Sequence, residues 1–474
     1  MSLRNRLTQT PKEQTPAAQP AAAPASPAAP QAAAPDPARP KSTGISDQDY
    51  NRLKKWLLSK IAGRLEDQTD LKRSPAVTQM LRERFNVIYS QANVNLPNDM
   101  VDALFGEVVD EIVGYGPIEK LLNDPTVSEV MVNGPQQVYV ERKGKLMISD
   151  VIFDDDEHVM RVVERILRPL GRRVDRKVPM ADARLPDGSR VNIIIPPSAI
   201  DGPTITIRKF STKKLTMQDL IGFGSMTPQI AEFLKACVVS RLNVVVSGGT
   251  GSGKTTLLNV LSGMIPEDER VITLEDSAEL QLGQPHVVRL EARPADPDGT
   301  GAVTIRDLVK NSLRMRPERI VVGEIRSGEA IDMLQAMNTG HDGSLTTLHA
   351  NNPREAITRI ETMALMGGLE IPLKVIREQI AKAVDLIVQQ ARLNDGSRKI
   401  TYITEISGME GESVVTQDIF KYDESLGADG RPIGMKPTGL RPFFTPRLES
   451  HGFKLPPEIF GGGAAGDMFG GRRR

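Results

Sequence analysis

The chain has 474 residues, too many for one typical domain, so two or three domains with cores of their own are expected. Its 60 basic residues balance 60 acidic ones, which removes any global pull toward nucleic acid. A single cysteine, Cys237, excludes a disulfide within the chain and argues against a cysteine-based zinc site. The opening Met1-Ser-Leu-Arg-Asn-Arg6 leads into no apolar stretch, and no segment nears the roughly 20 apolar residues of a membrane helix. The expectation is a soluble cytoplasmic protein whose membrane work passes through partners.

In chain order, residues 1–45 are expected to form a disordered tail, because the stretch 11–40 is mostly Ala and Pro and has little to bury. Order is expected from Ser46, a good N-cap with Asp49 three residues on. Leu53, Trp56, Leu57 and Ile61 follow at helical spacing. Residues 80–92 and 100–113 also read as helices, so 46–114 is a helical region. Over 115–210 a smaller mixed α+β domain is expected. Its short strands fall at 130–132, 138–141, 148–153, 191–195 and 204–208, with a helix at 156–168. Residues 211–227 begin polar, with Gly222 and Gly224 further along, and read as a hinge. Over 228–460 strands alternate with helices, which implies an α/β domain built on a covered parallel sheet. Residues 461–474 are left as a flexible tail.

The strongest chemical signal is Gly248-Gly249-Thr250-Gly251-Ser252-Gly253-Lys254-Thr255, which fits the phosphate-loop pattern G-x-x-x-x-G-K-[ST]. The apolar run 242–246 before it suits a buried parallel strand, and 255–261 after it, from Thr255 and Thr256 onward, reads as a helix. Glycines let backbone N–H groups wrap phosphates without Cβ clashes, and the helix N-terminus adds partial positive charge. Lys254 is expected at the β/γ-phosphates, and the Thr255 hydroxyl on Mg2+. Two further strands are expected at 270–274 and 319–322, ending in Glu275-Asp276 and Gly323-Glu324. Ligands of such sheets sit at strand carboxyl ends, so one acid is expected to hold Mg2+ through water and the other to orient the attacking water. A fourth strand at 344–348 ends in His349, one of five histidines, which is expected near the γ-phosphate.

A phosphate loop, an acidic Thr273-Leu-Glu-Asp276 box, a Gly323-Glu324 Walker B and a Gly340-His…His349 box occur in that order, and this resembles the type II/type IV secretion ATPase superfamily. The stretches Leu313-Arg-Met-Arg-Pro-Glu-Arg-Ile-Val-Val-Gly-Glu-Ile-Arg326 and Asp332-Met-Leu-Gln-Ala-Met-Asn-Thr-Gly-His-Asp-Gly-Ser344 look similar to the CpaF/TadA type, the motor of tight-adherence (Tad/Flp) pili. So do Gly408-Met-Glu-Gly411 and Thr438-Gly-Leu-Arg-Pro442. The resemblance runs from about residue 96 to 460. It implies a RecA-like P-loop domain with a PAS-like N-terminal domain, assembled as a homohexamer that hydrolyses ATP with Mg2+ against an inner-membrane platform. It also implies Glu275 as catalytic base and Glu324 as the Walker B acid. Arg184 and Arg208 match arginines that reach phosphates from the N-terminal domain, with Arg190 a weaker third. The chain lacks the paired CxxC zinc element of type II exporters, so no zinc is expected. VirB-type conjugation ATPases are the main alternative. From other classes, a RecA-like nucleic-acid translocase would want an aromatic or basic track, yet aromatics are 4%. A nucleotide-gated scaffold would have no use for a second carboxylate.

Overall fold

The computed structural model describes residues 45–63, 73–142, 144–210, 214–295, 299–426 and 432–461. The tails expected over 1–45 and 461–474 thus lie outside the described residues, apart from Ile45 and Gly461. The chain divides into two units between Phe210 and Ser211.

The first unit opens with α1 (Asp47–Ala62), α2 (Pro75–Tyr89) and α3 (Asn98–Val113). The Ser46 hydroxyl caps α1 by accepting the Asp49 N–H at 3.1 Å, a contact worth about 1 kcal/mol. Leu53, Leu57 and Ile61 recur along one face of α1 and share a core with Leu81 and Phe85 of α2 and Leu104 and Val108 of α3. One turn of helix, α4 (Glu119–Asn123), then leads into six strands and α5 (Asp156–Leu167). The strands are β1 (Val127–Asn133), β2 (Val138–Arg142), β3 (Lys145–Ile148), β4 (Met180–Arg184), β5 (Arg190–Ile194) and β6 (Thr204–Arg208). They form one antiparallel sheet in the order β3-β2-β1-β6-β5-β4. Alternate residues Val130, Val132, Val191, Ile193, Ile205 and Ile207 are buried with Val159, Val163 and Ile166 of α5, so only one face of the sheet is apolar.

Two details differ from expectation. The segment 148–153 is not a strand: β3 ends at Ile148, and Val151 and Phe153 are buried from a loop whose Phe153 N–H bonds the Pro135 carbonyl at 2.8 Å. Apolar residues two apart look alike in sequence whether a ladder or a loop buries them. Strand β4, Met-Ala-Asp-Ala-Arg, is poor in β-formers and exists through its pairing with β5.

The second unit starts with α6 (Met217–Gly222) and α7 (Pro228–Val239). A reciprocal Thr216–Asp219 capping box starts α6, and Leu220 and Met226 are buried in this unit's core. Part of the segment expected as a hinge is therefore helix. Next come β7 (Val244–Gly248), α8 (Lys254–Ser262), β8 (Val271–Glu275), β9 (Val287–Glu291), α9 (Ile305–Ser312), β10 (Arg319–Val322), α10 (Glu329–Asn338) and β11 (Leu345–Leu348). Helices α11 (Pro353–Leu365) and α12 (Leu373–Ala383) precede β12 (Leu386–Arg392), β13 (Arg398–Glu410), β14 (Ser413–Leu426), β15 (Pro432–Pro437) and α13 (Thr445–Ser450). The nine strands lie in the order β15-β14-β13-β12-β7-β11-β10-β8-β9. Strands β9 through β12 in that row run parallel, and β13 to β15 add an antiparallel flank. Helices cover both faces: Val244 and Val246 join one core with Leu257 and Leu261 of α8, while Val245 joins another with α9 to α12. This is an α/β unit of RecA-like strand order, with β11 standing between the phosphate-loop strand β7 and β10.

Candidate active site

The phosphate loop leaves the carboxyl end of β7 at Gly248 and enters α8 at Lys254. Gly251 and Gly253 hold φ of 72° and 98°, left-handed values that an L side chain resists. At Gly248 a Cβ would stand 2.3 Å from the Gln390 carbonyl oxygen of β12, so the loop starts where only glycine fits. Half-buried Gly249 and exposed Thr250 follow it, and the Ser252 hydroxyl donates to the Gly249 carbonyl at 2.9 Å. Thr255 and Thr256 occupy the first turn of α8 and are half-buried.

Lys254 is buried, and its Nζ donates to the Gly249 carbonyl at 3.0 Å. It also lies 3.3 Å from His349 Nδ1, while His349 Nε2 lies 2.9 Å from Glu324 Oε1. The last pair is close but not aligned as a hydrogen bond, since Oε1 has no such partner. Burial lowers the Lys254 pKa, helped by Arg326 and opposed by Glu324. Burial and then the Lys254 charge lower that of His349, which favours a neutral imidazole between a cation and a carboxylate. The Arg326 Nη2 donates to Glu324 Oε2 at 2.7 Å, and its Nη1 lies 3.5 Å from Asp276.

Glu275 ends β8 and is 3% exposed. Its Oε2 accepts the Glu279 and Leu280 N–H groups at 2.7 and 2.8 Å, while Oε1 is buried without a hydrogen-bond partner. Burial raises its pKa, and the two backbone donors pull it part of the way back. Gly323 is what admits this carboxylate, since a Cβ there would stand 3.1 Å from Glu275 Cγ. The Gly323 N–H bonds Leu274 O at 2.8 Å and the Thr347 hydroxyl bonds Gly323 O at 2.7 Å, so the ends of β8, β10 and β11 are laced together. Lys254, Glu275, Glu324 and His349 therefore gather at one edge of one sheet. His341, four residues before β11, belongs to the opposite edge.

The donor set suits Mg2+. Hard oxygens are on offer from the Thr255 hydroxyl, Glu324 and the orphaned Glu275 Oε1, and Mg2+ ordinarily takes one or two carboxylates plus phosphate oxygens and water. No cluster of three His, Cys, Asp or Glu able to hold a metal alone occurs among the described residues.

In the first unit Arg184 faces Arg190 across β4 and β5, Arg190 faces Arg208 across β5 and β6, and Arg208 faces Glu129 of β1. Directly opposed residues share a face, so the three arginines form one row on the face away from α5. Like charges directly opposite one another on a sheet are in general destabilising. Arg208 Nε lies 3.7 Å from Glu129 Oε1.

Residues not foreseen from sequence also touch the site. Arg326 lies two positions after Glu324, a signal that was readable. Arg398, at the start of β13, donates from Nε to the Gly251 carbonyl at 2.9 Å. It lies 147 residues from the loop, and no local pattern marks it.

A family model described as "Type II/IV secretion system protein" matches residues 111–415. A Mycobacterium tuberculosis protein named for conjugal transfer is 38% identical over 68% of this chain and 93% of its own length. The conjugal transfer protein TrbB of Rhizobium radiobacter is 33% identical over 64% of this chain and 91% of its own. The type IV secretion system protein VirB11 of Bartonella henselae is 33% identical over 60% and 90%. Among solved structures, the VirB11 ATPase of the Brucella suis type IV secretion system in complex with sulphate is 32% identical, covers 60% of this chain and 91% of that one, and has a TM-score of 0.34.

Proposed function

Because the chain belongs to the type II/IV secretion system protein family, we propose that it is a Mg2+-dependent ATPase that powers a membrane-spanning secretion or pilus machine. One observation carries the reading: the phosphate loop, Glu275, Glu324 and His349 converge at the carboxyl edge of β7, β8, β10 and β11. Lys254 and the loop N–H groups bind the β- and γ-phosphates. Thr255 and Glu324 would hold Mg2+, which would neutralise charge on the phosphates during transfer. Glu275 orients the attacking water, and neutral His349 reports on the γ-phosphate from between Lys254 and Glu324. Arg184 and Arg208, with Arg190 beside them, are the arginines proposed to supply charge to the phosphates in the transition state. The working form is a homohexamer at the cytoplasmic face of an inner membrane, moving platform proteins. No described helix is long and apolar enough to cross a membrane itself.

The names of the relatives favour a VirB-type conjugation or type IV secretion ATPase over a tight-adherence pilus motor. The pilus reading stands second, on the two stretches ending at Arg326 and Ser344. The test is steady-state ATP hydrolysis with and without DNA, on the wild type and Lys254→Ala. Turnover should be lost in Lys254→Ala and indifferent to DNA in the wild type. Turnover above about a tenth of wild type in Lys254→Ala would remove the phosphate-loop assignment. Stimulation by DNA would favour a nucleic-acid translocase. Deleting the gene and scoring substrate transfer between cells against surface pili decides between the two machines.

A further inference from the structure

Arg398 reaches the phosphate loop from outside the motif. Strand β12 runs parallel to β7, pairing Gln390 with Gly248, and then turns back at Asp395-Gly396 into β13. The turn is fixed: Asp395 accepts the Ser397 N–H at 2.8 Å, and Gly396 has φ of 83°. Arg398 is thereby laid over the loop, its Nε 2.9 Å from the Gly251 carbonyl oxygen. Its Cδ would stand 3.2 Å from a Cβ on Gly253, so this glycine also makes room for the arginine.

A planar trans peptide points its C=O and N–H in opposite directions. The Gly251 carbonyl belongs to the same peptide as the Ser252 N–H. Held outward by Arg398, it leaves the Ser252 N–H turned inward, where it donates to the Gly249 carbonyl at 3.4 Å. Lys254 Nζ lies against that same Gly249 oxygen at 3.0 Å, so this is the side of the loop that carries the lysine. We propose that Arg398 is a positioning residue for the phosphate loop, fixing the Gly251–Ser252 peptide so that its N–H faces the bound phosphate. The role rests on the phosphate-loop reading above. It belongs to every nucleotide that fills the loop and is not reserved for the transition state. Arg398 therefore governs affinity, and kcat follows from other groups.

The test uses the full chain, with Mg2+–ADP titrations and ATP kinetics for the wild type, Arg398→Ala and Arg398→Lys. A charged donor on a backbone carbonyl at an exposed position supports about a tenfold effect. Arg398→Ala should raise the Kd for ADP and the KM for ATP about tenfold, with kcat within about threefold and the unfolding temperature unchanged. Arg398→Lys keeps a charged donor and should recover most of the affinity. Unchanged Kd and KM in Arg398→Ala would overturn the proposal. So would a large loss of kcat at constant Kd, which would put Arg398 in the transition state. An affinity loss matched by equal thermal destabilisation in both variants would make the residue merely structural. Lys254→Ala measured alongside separates the two readings: if it binds ADP normally, the phosphate-loop assignment falls whatever Arg398 does.

Discussion

At the end of β8 a carboxylate is held by one oxygen and loose at the other. The Glu279 and Leu280 N–H groups fix Glu275 Oε2, so the rotamer is set before any substrate arrives. The second oxygen is buried without a partner, which costs about 1–3 kcal/mol unless something polar comes to it. A water aligned on the γ-phosphate would fill that need. Glu275→Gln keeps an acceptor for both backbone donors but removes the negative charge. It should bind ATP normally and turn over about 10²–10⁴ times more slowly, checked by nucleotide titration beside single-turnover hydrolysis. The pH dependence follows from burial, which raises the Glu275 pKa. Only the ionised form serves, so activity should fall on acidification at a pH above the ordinary glutamate value of about 4.3. Stability moves the other way. A carboxyl whose folded pKa exceeds its unfolded one binds its proton more tightly when folded, so its burial penalty fades as pH falls through the raised pKa. An acid limb at the same pH in wild type and Glu275→Gln would show that another group titrates there.

Among the elements, α10 illustrates how tightly the site is backed. It begins at Glu329, five residues after Glu324, and its preceding Gly328 packs on the loop between α11 and α12. A Cβ on Gly328 would stand 2.7 Å from Gly367 Cα and 3.2 Å from the Met366 carbonyl, both rigid backbone. Arg306 of α9 ties the same loop down, donating to the Gly367 carbonyl at 2.9 Å and to Asp332 of α10 at 2.7 Å. Gly328→Ala should therefore destabilise the second unit by about 1–3 kcal/mol. Gly263→Ala, where φ is −65° and the nearest atoms stand at 3.4 Å, should stay within about 0.5 kcal/mol. Equal denaturant midpoints for the two variants would show that the loop yields. Elements with their own signal were legible in the sequence. The spacing of Leu53, Leu57 and Ile61 marks α1, and the runs ending in Glu275 and Glu324 mark β8 and β10. Those that borrow their order from a neighbour were not: β4 depends on β5, and Phe153 is buried from a loop. The site divides likewise. Its phosphate loop and strand-end acids are written locally, whereas Arg398 arrives through a hairpin whose register only the folded sheet sets.

For the molecule as a whole, the break between Phe210 and Ser211 leaves each side with apolar cores of its own. A fragment of residues 211–474 should accordingly unfold cooperatively and bind ADP much as the full chain does. If Arg184, Arg190 and Arg208 serve the phosphates, its turnover should be lower by about 10³ or more. Calorimetry and hydrolysis on the fragment check both parts: a fragment that fails to fold contradicts the two-unit description, and one that hydrolyses at full rate removes the arginines from the chemistry. The borders of the nine-stranded sheet carry a further consequence. One border strand, β9, reads Val-Val-Arg-Leu-Glu, with Arg289 and Glu291 on it, and the other, β15, begins and ends in proline, which has no N–H to offer a new strand. Charge at one rim and proline at the other discourage strand addition, the usual route by which open sheets stick to one another. Another chain is thereby discouraged from extending this sheet at either border, so whatever meets it there is favoured to do so through side chains and not through a shared ladder.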